Sequence, residues 1–148
     1  MDATTAAGRR RDNLLLAAAF VAAHGVDVVV VGGCALRLHG HDHDPADLDL
    51  VPAPGLENLH RLLDALDLLG NVSRAPRPSD HALATASILT RTTPIGSIDV
   101  LLQRGRDEYD TLARAGGDVD VRGHPTRVAS LADVLRLREQ FGAGTARA

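Results

Sequence analysis

Residues 28–33 of the chain read VVVVGG, residues 47–50 read DLDL and residues 97–102 read SIDVLL, and these three segments decide the fold. A run of valines is typical of a buried strand, and two glycines end it abruptly. Aspartates that alternate with leucines predict a second strand. Successive side chains of a strand point to opposite faces, so Asp47 and Asp49 would share one face while the leucines enter the core.

Helical and extended patterns alternate along the rest of the chain. Helices are predicted at residues 12–23, 34–39, 56–69, 107–115 and 131–141, and strands at residues 26–31, 47–51, 81–90, 97–103, 118–122 and 126–129. This mixture predicts the α/β (α+β) class, with one small mixed β-sheet flanked by helices. We expect a single domain over residues 12–141, a mobile tail at residues 1–11 and a frayed tail at residues 142–148.

The composition excludes several kinds of chemistry. All 16 basic residues are arginine, so a Schiff-base lysine and a lysine-dependent phosphate loop are both excluded. A net charge of −3 gives no electrostatic footprint for non-specific binding along nucleic acid. The single cysteine, Cys34, excludes an intramolecular disulfide and fits a reducing cytoplasm. No apolar run reaches the roughly 18 residues that span a bilayer, so we expect a cytoplasmic protein without a membrane partner.

The glycines and aspartates of the three segments suggest a site for phosphate and metal. Gly32 and Gly33 leave backbone N–H groups open to phosphate oxygens, although a simple turn would also use them. Asp47 and Asp49 repel each other on one face; a divalent cation such as Mg²⁺ would resolve this, and so would a solvated edge strand. Asp99 would join them if its strand paired alongside, about 4.8 Å away.

Three carboxylates beside backbone N–H groups that can bind phosphate are the groups that two-metal phosphoryl or nucleotidyl transfer uses. One metal would bridge the triphosphate, and the other would activate an acceptor hydroxyl. Asp99 would then serve as a metal ligand and as the general base.

The order and spacing of these segments resemble a known signature. Two glycines after a strand, thirteen intervening residues and then D-x-D are similar to the DNA polymerase β-like nucleotidyltransferase superfamily, with Asp99 matching its third carboxylate. The residues within these segments resemble even more closely the small bacterial nucleotidyltransferases of the AbiEii and MenT-like toxin group. The matching segments are residues 31–40 (VGGCALRLHG), 89–92 (LTRT), 96–101 (GSIDVL) and 129–134 (ASLADV). The resemblance covers about residues 26–141.

The resemblance implies a metal-dependent nucleotidyltransferase that uses Mg²⁺ or Mn²⁺. Such an enzyme moves NMP from an NTP to a hydroxyl of tRNA or protein, within a toxin–antitoxin type of system. Its partners would be the NTP, the acceptor macromolecule and a cognate toxin or antitoxin. Asp47, Asp49 and Asp99 would be the catalytic and metal-binding residues. The phosphate-binding set would be Gly32, Gly33, Cys34, His43, Arg91 and Arg138.

Several positions depart from the pattern that this group shows. Cys34 follows the glycine pair, where serine or leucine is common, and His43 stands in the stretch that usually carries an arginine. Arg138 replaces a lysine of the final helix that is thought to touch the triphosphate. Arginine pairs with phosphate in a bidentate manner and is not equivalent to a point-charge lysine. These departures affect the expected activity and nucleotide preference more than the expected fold.

Three alternatives stay open from the sequence. The substituted basic positions favour a non-catalytic nucleotide-binding antitoxin or regulatory partner of the same fold. A small-molecule transferase that modifies antibiotics would need an acceptor-binding domain or a dimer. Residues 39–44 (HGHDHD) contain three histidines that could bind a transition metal, although neighbouring loop positions rarely supply convergent ligands.

Overall fold

A computed structural model of the chain describes residues 3–142, with the side chains of residues 8–140. The described elements are, in order, α1 (Ala3–Ala23), β1 (Val28–Val31), α2 (Gly32–Leu38), β2 (Asp47–Pro52), α3 (Leu56–Leu69), α4 (Asp80–Thr85), β3 (Ile88–Thr93), β4 (Gly96–Leu101), α5 (Arg106–Ala115), β5 (Gly117–Val121), β6 (His124–Val128) and α6 (Leu131–Gly142). The six strands form one sheet, and helices flank it. The predicted α/β class is therefore confirmed.

The sheet has the strand order β3-β4-β2-β1-β6-β5. Strand β2 runs antiparallel to β1 on one side and parallel to β4 on the other, so the sheet is mixed. Two antiparallel hairpins, β3–β4 and β5–β6, form its two edges. This order places the glycine pair after β1 and the D-x-D segment of β2 next to each other at the centre of the sheet.

The alternating pattern of β2 sorts its side chains as predicted. Leu48 and Leu50 are fully buried, whereas Asp47 and Asp49 are half-buried on the other face. In β4, Ile98 and Val100 are likewise fully buried. The leucines that the amphipathic pattern of α3 predicted to be buried belong to the hydrophobic core, and the bounds of α3 are those expected from the sequence.

Two segments differ from the sequence expectations. Helix α1 begins at Ala3, so most of the segment expected to be a tail is helical. Residues 81–90 were predicted as a strand, and this is wrong, because α4 occupies the first half and β3 begins only at Ile88. Ser79 caps α4 by accepting a hydrogen bond from the Ala82 N–H at 3.1 Å, and the alanine-rich stretch that follows favours a helix.

Two further expectations concern the chain end and the membrane. Of the tail expected at residues 142–148, Gly142 is the last residue of α6, and residues 143–148 lie outside the described residues. Within the described part of the chain, no helix combines the length and the apolar character needed to cross a bilayer.

Candidate active site

The pairing of β2 with β4 brings the three aspartates to one face of the sheet. Asp49 lies directly opposite Asp99, and Asp47 lies opposite Ser97. Residues that face each other across neighbouring strands share a face, and the strands lie about 4.8 Å apart. Asp99 is only 5% exposed, so its carboxylate lies deeper than the half-buried Asp47 and Asp49.

The glycine pair allows two close approaches at the start of α2. Gly32 has a φ of +70°, and a Cβ there would collide with the Oδ2 of Asp49. A Cβ at Gly33 would lie 2.7 Å from the Nε2 of His43. The first glycine therefore admits a carboxylate and the second admits an imidazole. The His43 imidazole therefore lies against Gly33, and its contact with a phosphate stays a prediction.

The side chain of Cys34 connects α2 to β2 through a hydrogen bond. Its thiol is fully buried and donates to the carbonyl oxygen of Asp47 at 3.4 Å. Burial, followed by the negative charges of Asp49 and Asp47, raises the pKa of the Cys34 thiol to about 12. The side chain is therefore a neutral packing group, and only the backbone of this residue could meet a phosphate.

Thr90 on β3 contacts the deepest carboxylate, and the sequence reasoning did not single it out. Thr90 is paired with Asp99 in the β3–β4 hairpin, and its hydroxyl donates to Oδ1 of Asp99 at 2.6 Å. The available signal was the alternation within residues 89–92, since Thr90 and Arg91 cannot face the same side of one strand. Choosing between them required the hairpin register.

Arg91 was expected at the phosphates, and the structure places it elsewhere. It pairs with Ile98, so its side chain lies on the face of the sheet opposite to Asp99. The guanidinium is buried and donates to Oδ1 of Asp67 in α3 at 2.9 Å. The alternation of a strand separates Arg91 from the carboxylates, so Arg91 does not belong to the phosphate-binding set.

Arg138 lies on α6, the helix that packs beside α2. It is half-buried and two turns of helix beyond Ser130, whose hydroxyl accepts a hydrogen bond from the Asp133 N–H at 3.2 Å. The helix that carries Arg138 therefore packs against α2, the helix that begins at the glycine pair. Its predicted contact with a triphosphate stays a prediction.

The donor set fits a hard divalent cation. Carboxylate oxygens are the ligands that Mg²⁺ prefers, and two of them face each other across β2 and β4. The missing side chain at Gly32 leaves the space that Asp49 occupies. As placed, however, no three His, Cys, Asp or Glu side chains of the described residues, including the loop 39–44, form a metal-binding group. The assignment of Asp47, Asp49 and Asp99 as the residues that would hold a cation stays a prediction.

Two solved structures share this arrangement of strands and helices. A candidate nucleotidyltransferase from Thermotoga maritima matches with a TM-score of 0.56 at 19% identity, over 80% of this chain and 75% of that one. The antibiotic-resistance factor ANT(2'')-Ia matches with a TM-score of 0.54 at 16% identity, over 95% of this chain and 75% of that one. The chain has the nucleotidyltransferase fold. At these identities the likeness concerns the fold alone.

Sequence comparisons add no closer relative. No protein-family model matched the sequence. No curated protein sequence matched it. The assignment of a function within the nucleotidyltransferase fold therefore depends on the residues of the site.

Proposed function

We propose that the chain is a metal-dependent nucleotidyltransferase that transfers NMP from an NTP to an acceptor hydroxyl and releases pyrophosphate. The observation that carries this proposal is the register that sets Asp49 opposite Asp99, with Gly32 against Asp49. The fold supports it, because one of the two similar structures is described as a candidate nucleotidyltransferase and the other as an antibiotic-resistance factor.

Each residue of the site has a distinct role in this reaction. A divalent cation, when bound, would neutralise triphosphate charge and lower the pKa of the acceptor hydroxyl. Asp47 and Asp49 would hold that cation. Asp99 would orient the acceptor hydroxyl and accept its proton, while the acceptor oxygen bonds to the α-phosphorus and pyrophosphate departs. Gly32 and Gly33 would let the phosphates approach the backbone closely.

The side chains of His43 and Arg138 would act on the phosphates. His43 lies against Gly33, and Arg138 lies on the helix beside α2. An arginine can hold two phosphate oxygens at once, which positions the triphosphate as well as attracting it. Together they would replace the lysine and arginine of the related group.

The more specific part of the proposal concerns which molecule accepts the NMP. On the resemblance to the AbiEii and MenT-like group, we assign the transfer to a cytoplasmic macromolecule, tRNA or protein, in a toxin–antitoxin type of system. A small-molecule acceptor is the second candidate, and it is favoured by the match to an antibiotic-resistance factor over 95% of this chain. A non-catalytic nucleotide-binding protein is the third, motivated by the replaced basic residues.

One experiment separates these three. The purified protein is incubated with each α-labelled NTP and Mg²⁺ or Mn²⁺, and with bulk tRNA, cell-extract protein or a mixture of hydroxyl-bearing antibiotics in turn. Label on tRNA or protein supports the macromolecular acceptor, and label on an antibiotic supports the antibiotic transferase. Calorimetric binding of NTP and Mg²⁺ without any transfer would instead indicate the non-catalytic protein.

A further inference from the structure

Strand β3 contributes a group to the carboxylate face that the proposed reaction has not yet used. Thr90 is an exposed residue on this edge strand, and its hydroxyl donates to Oδ1 of the buried Asp99 at 2.6 Å. We propose that Thr90 is a positioning residue that sets the orientation of the Asp99 carboxylate toward the cation and the acceptor hydroxyl. This inference rests on the proposed function.

The geometry of the hydrogen bond suits this role. The terminal torsion of an aspartate is broad, so a carboxylate without a fixed donor samples many orientations. A distance of 2.6 Å is typical of a hydroxyl that donates to a charged carboxylate, which is among the stronger hydrogen bonds in proteins. The β-branched threonine restricts its own χ1 and holds the donor in place. A carboxylate has about four lone-pair sites, so this bond is compatible with cation binding.

The opposite face of β3 holds the strand in the register that this contact needs. Arg91 donates to Asp67 of α3 at 2.9 Å, and Thr93 donates from its hydroxyl to the carbonyl of Gly96 at 2.7 Å. A slip of one residue would turn Thr90 away from Asp99. Arg91 thus acts on the site only through the strand, by keeping Thr90 where it is.

The test compares variants of Thr90 that remove or restore the hydroxyl. Thr90→Val keeps the shape and the β-branch but removes the donor, and Thr90→Ala removes the donor with less bulk. Thr90→Ser restores a donor without the methyl group. Thr92→Val is the control, because Thr92 is exposed, on the same strand and on the same face. Each variant is checked for thermal unfolding, for Mn²⁺ affinity by electron paramagnetic resonance, and for kcat and KM with the NTP.

The expected result follows from the loss of one charge-assisted hydrogen bond. Thr90→Val and Thr90→Ala should each lower kcat and raise the Mn²⁺ Kd by about tenfold, with the KM for the NTP within about twofold. Thr90→Ser should recover both quantities to within about threefold, and Thr92→Val should match the wild type. An unchanged Mn²⁺ Kd in both donor-free variants would overturn the inference, as would a serine variant as impaired as the valine variant.

The two proposals fail in different ways. If the wild type binds Mn²⁺ with this dependence on Thr90 but transfers no nucleotide to any acceptor, the proposed function is wrong and the positioning of Asp99 toward the cation is supported. If the wild type binds no Mn²⁺, both are overturned. A loss of thermal stability in the valine variant alone, with Mn²⁺ affinity intact in the alanine variant, would indicate a purely structural threonine.

Discussion

Gly32 determines how closely the backbone can approach Asp49. Its φ of +70° and the position of the Asp49 carboxylate both require a residue without a Cβ. Gly25 has nearly the same φ, +75°, but a Cβ there would meet no atom within 4 Å. A comparison of the two glycines therefore distinguishes the free-energy cost of the backbone conformation from that of the close contact with Asp49.

Replacing each glycine by alanine makes this comparison. Gly25→Ala should lower the free energy of unfolding by about 1 kcal/mol, the cost of a left-handed conformation, and leave nucleotide transfer unchanged. Gly32→Ala should add a displacement of the Asp49 carboxylate, and so reduce Mn²⁺ affinity and transfer rate by at least about tenfold. Denaturant unfolding and Mn²⁺ titration measure the two effects. Equal Mn²⁺ affinity in both variants would show that the close contact has no role at the site.

The Cys34 thiol should be unreactive toward alkylating reagents in the folded protein. Its pKa of about 12 means that almost no thiolate exists at pH 8, and the side chain is fully buried. Iodoacetamide should therefore alkylate Cys34 only after unfolding in urea, as mass spectrometry would show. Fast alkylation of the native protein at pH 8 would contradict this environment.

Because of the same thiol, the free energy of unfolding should depend on pH in the alkaline range. The folded pKa is raised above the ordinary 9.0, so the contribution to stability is complete below pH 9 and is lost progressively as the pH rises toward 12. In Cys34→Ala this part of the pH dependence should be absent.

Arg138 tests whether the lysine of the related group has a counterpart here. Arg138→Ala should raise the KM for the NTP by about tenfold, because a charge-assisted contact with phosphate is lost, and Arg138→Lys should retain part of the affinity. Arg136→Ala is a control on the same helix, since Arg136 is engaged with Asp133 at 3.3 Å and Glu108 at 3.7 Å. If both Arg138 variants bind NTP as the wild type does, the assignment of this position is wrong.

At the scale of elements, Asp67 connects α3 with the edge of the sheet. It accepts a hydrogen bond from the buried Arg91 at 2.9 Å and another from the exposed Arg77 at 3.2 Å. Asp64, one turn earlier, pairs at 2.8 Å with the same exposed Arg77. These two aspartates therefore differ in whether they balance a buried charge.

Removing Asp67 should destabilise the fold more than removing Asp64. Asp67→Ala leaves the Arg91 guanidinium buried without this carboxylate, which we expect to cost about 2 kcal/mol, because Asp67 is itself partly solvent-exposed. Asp64→Ala breaks a surface pair and should cost less than about 1 kcal/mol. Chemical denaturation measures both values. Equal losses would mean that the buried pair contributes no more than a surface pair.

The elements differ in how far sequence alone predicted them. Helix α3 and the alternation of β2 were predicted because an apolar period of 3.6 or 2 states directly which face is buried. Residues 81–90 were misassigned because an alanine-rich stretch has no strong period, and the cap from Ser79 decided in favour of a helix. The expectation that Arg91 lies at the phosphates was wrong, because the face of the strand on which Arg91 lies depends on the register of the β3–β4 hairpin. The turn sets that register, and composition does not reveal it.

At the scale of the whole molecule, the mixed order of the sheet creates the site. β2 must lie between β1 and β4 for the glycine pair to meet Asp49 and for Asp49 to meet Asp99. Another D-x-D pair on a strand, Asp118 and Asp120, lies on β5 at the opposite end of the sheet from β3. Among the described strands the pattern thus occurs once next to the glycine pair, on β2, and once far from it, on β5.

The distant pair provides the control for the most direct test, which is transfer of α-labelled NMP to acceptor by purified protein with Mg²⁺. Asp49→Asn and Asp99→Asn keep the size of each side chain but remove the charge, so each should reduce transfer by at least about 100-fold. Asp118→Asn should transfer as the wild type does. Undiminished transfer by the Asp49 and Asp99 variants, or none by the wild type with any acceptor, would contradict a nucleotidyl-transfer site on this face of the sheet.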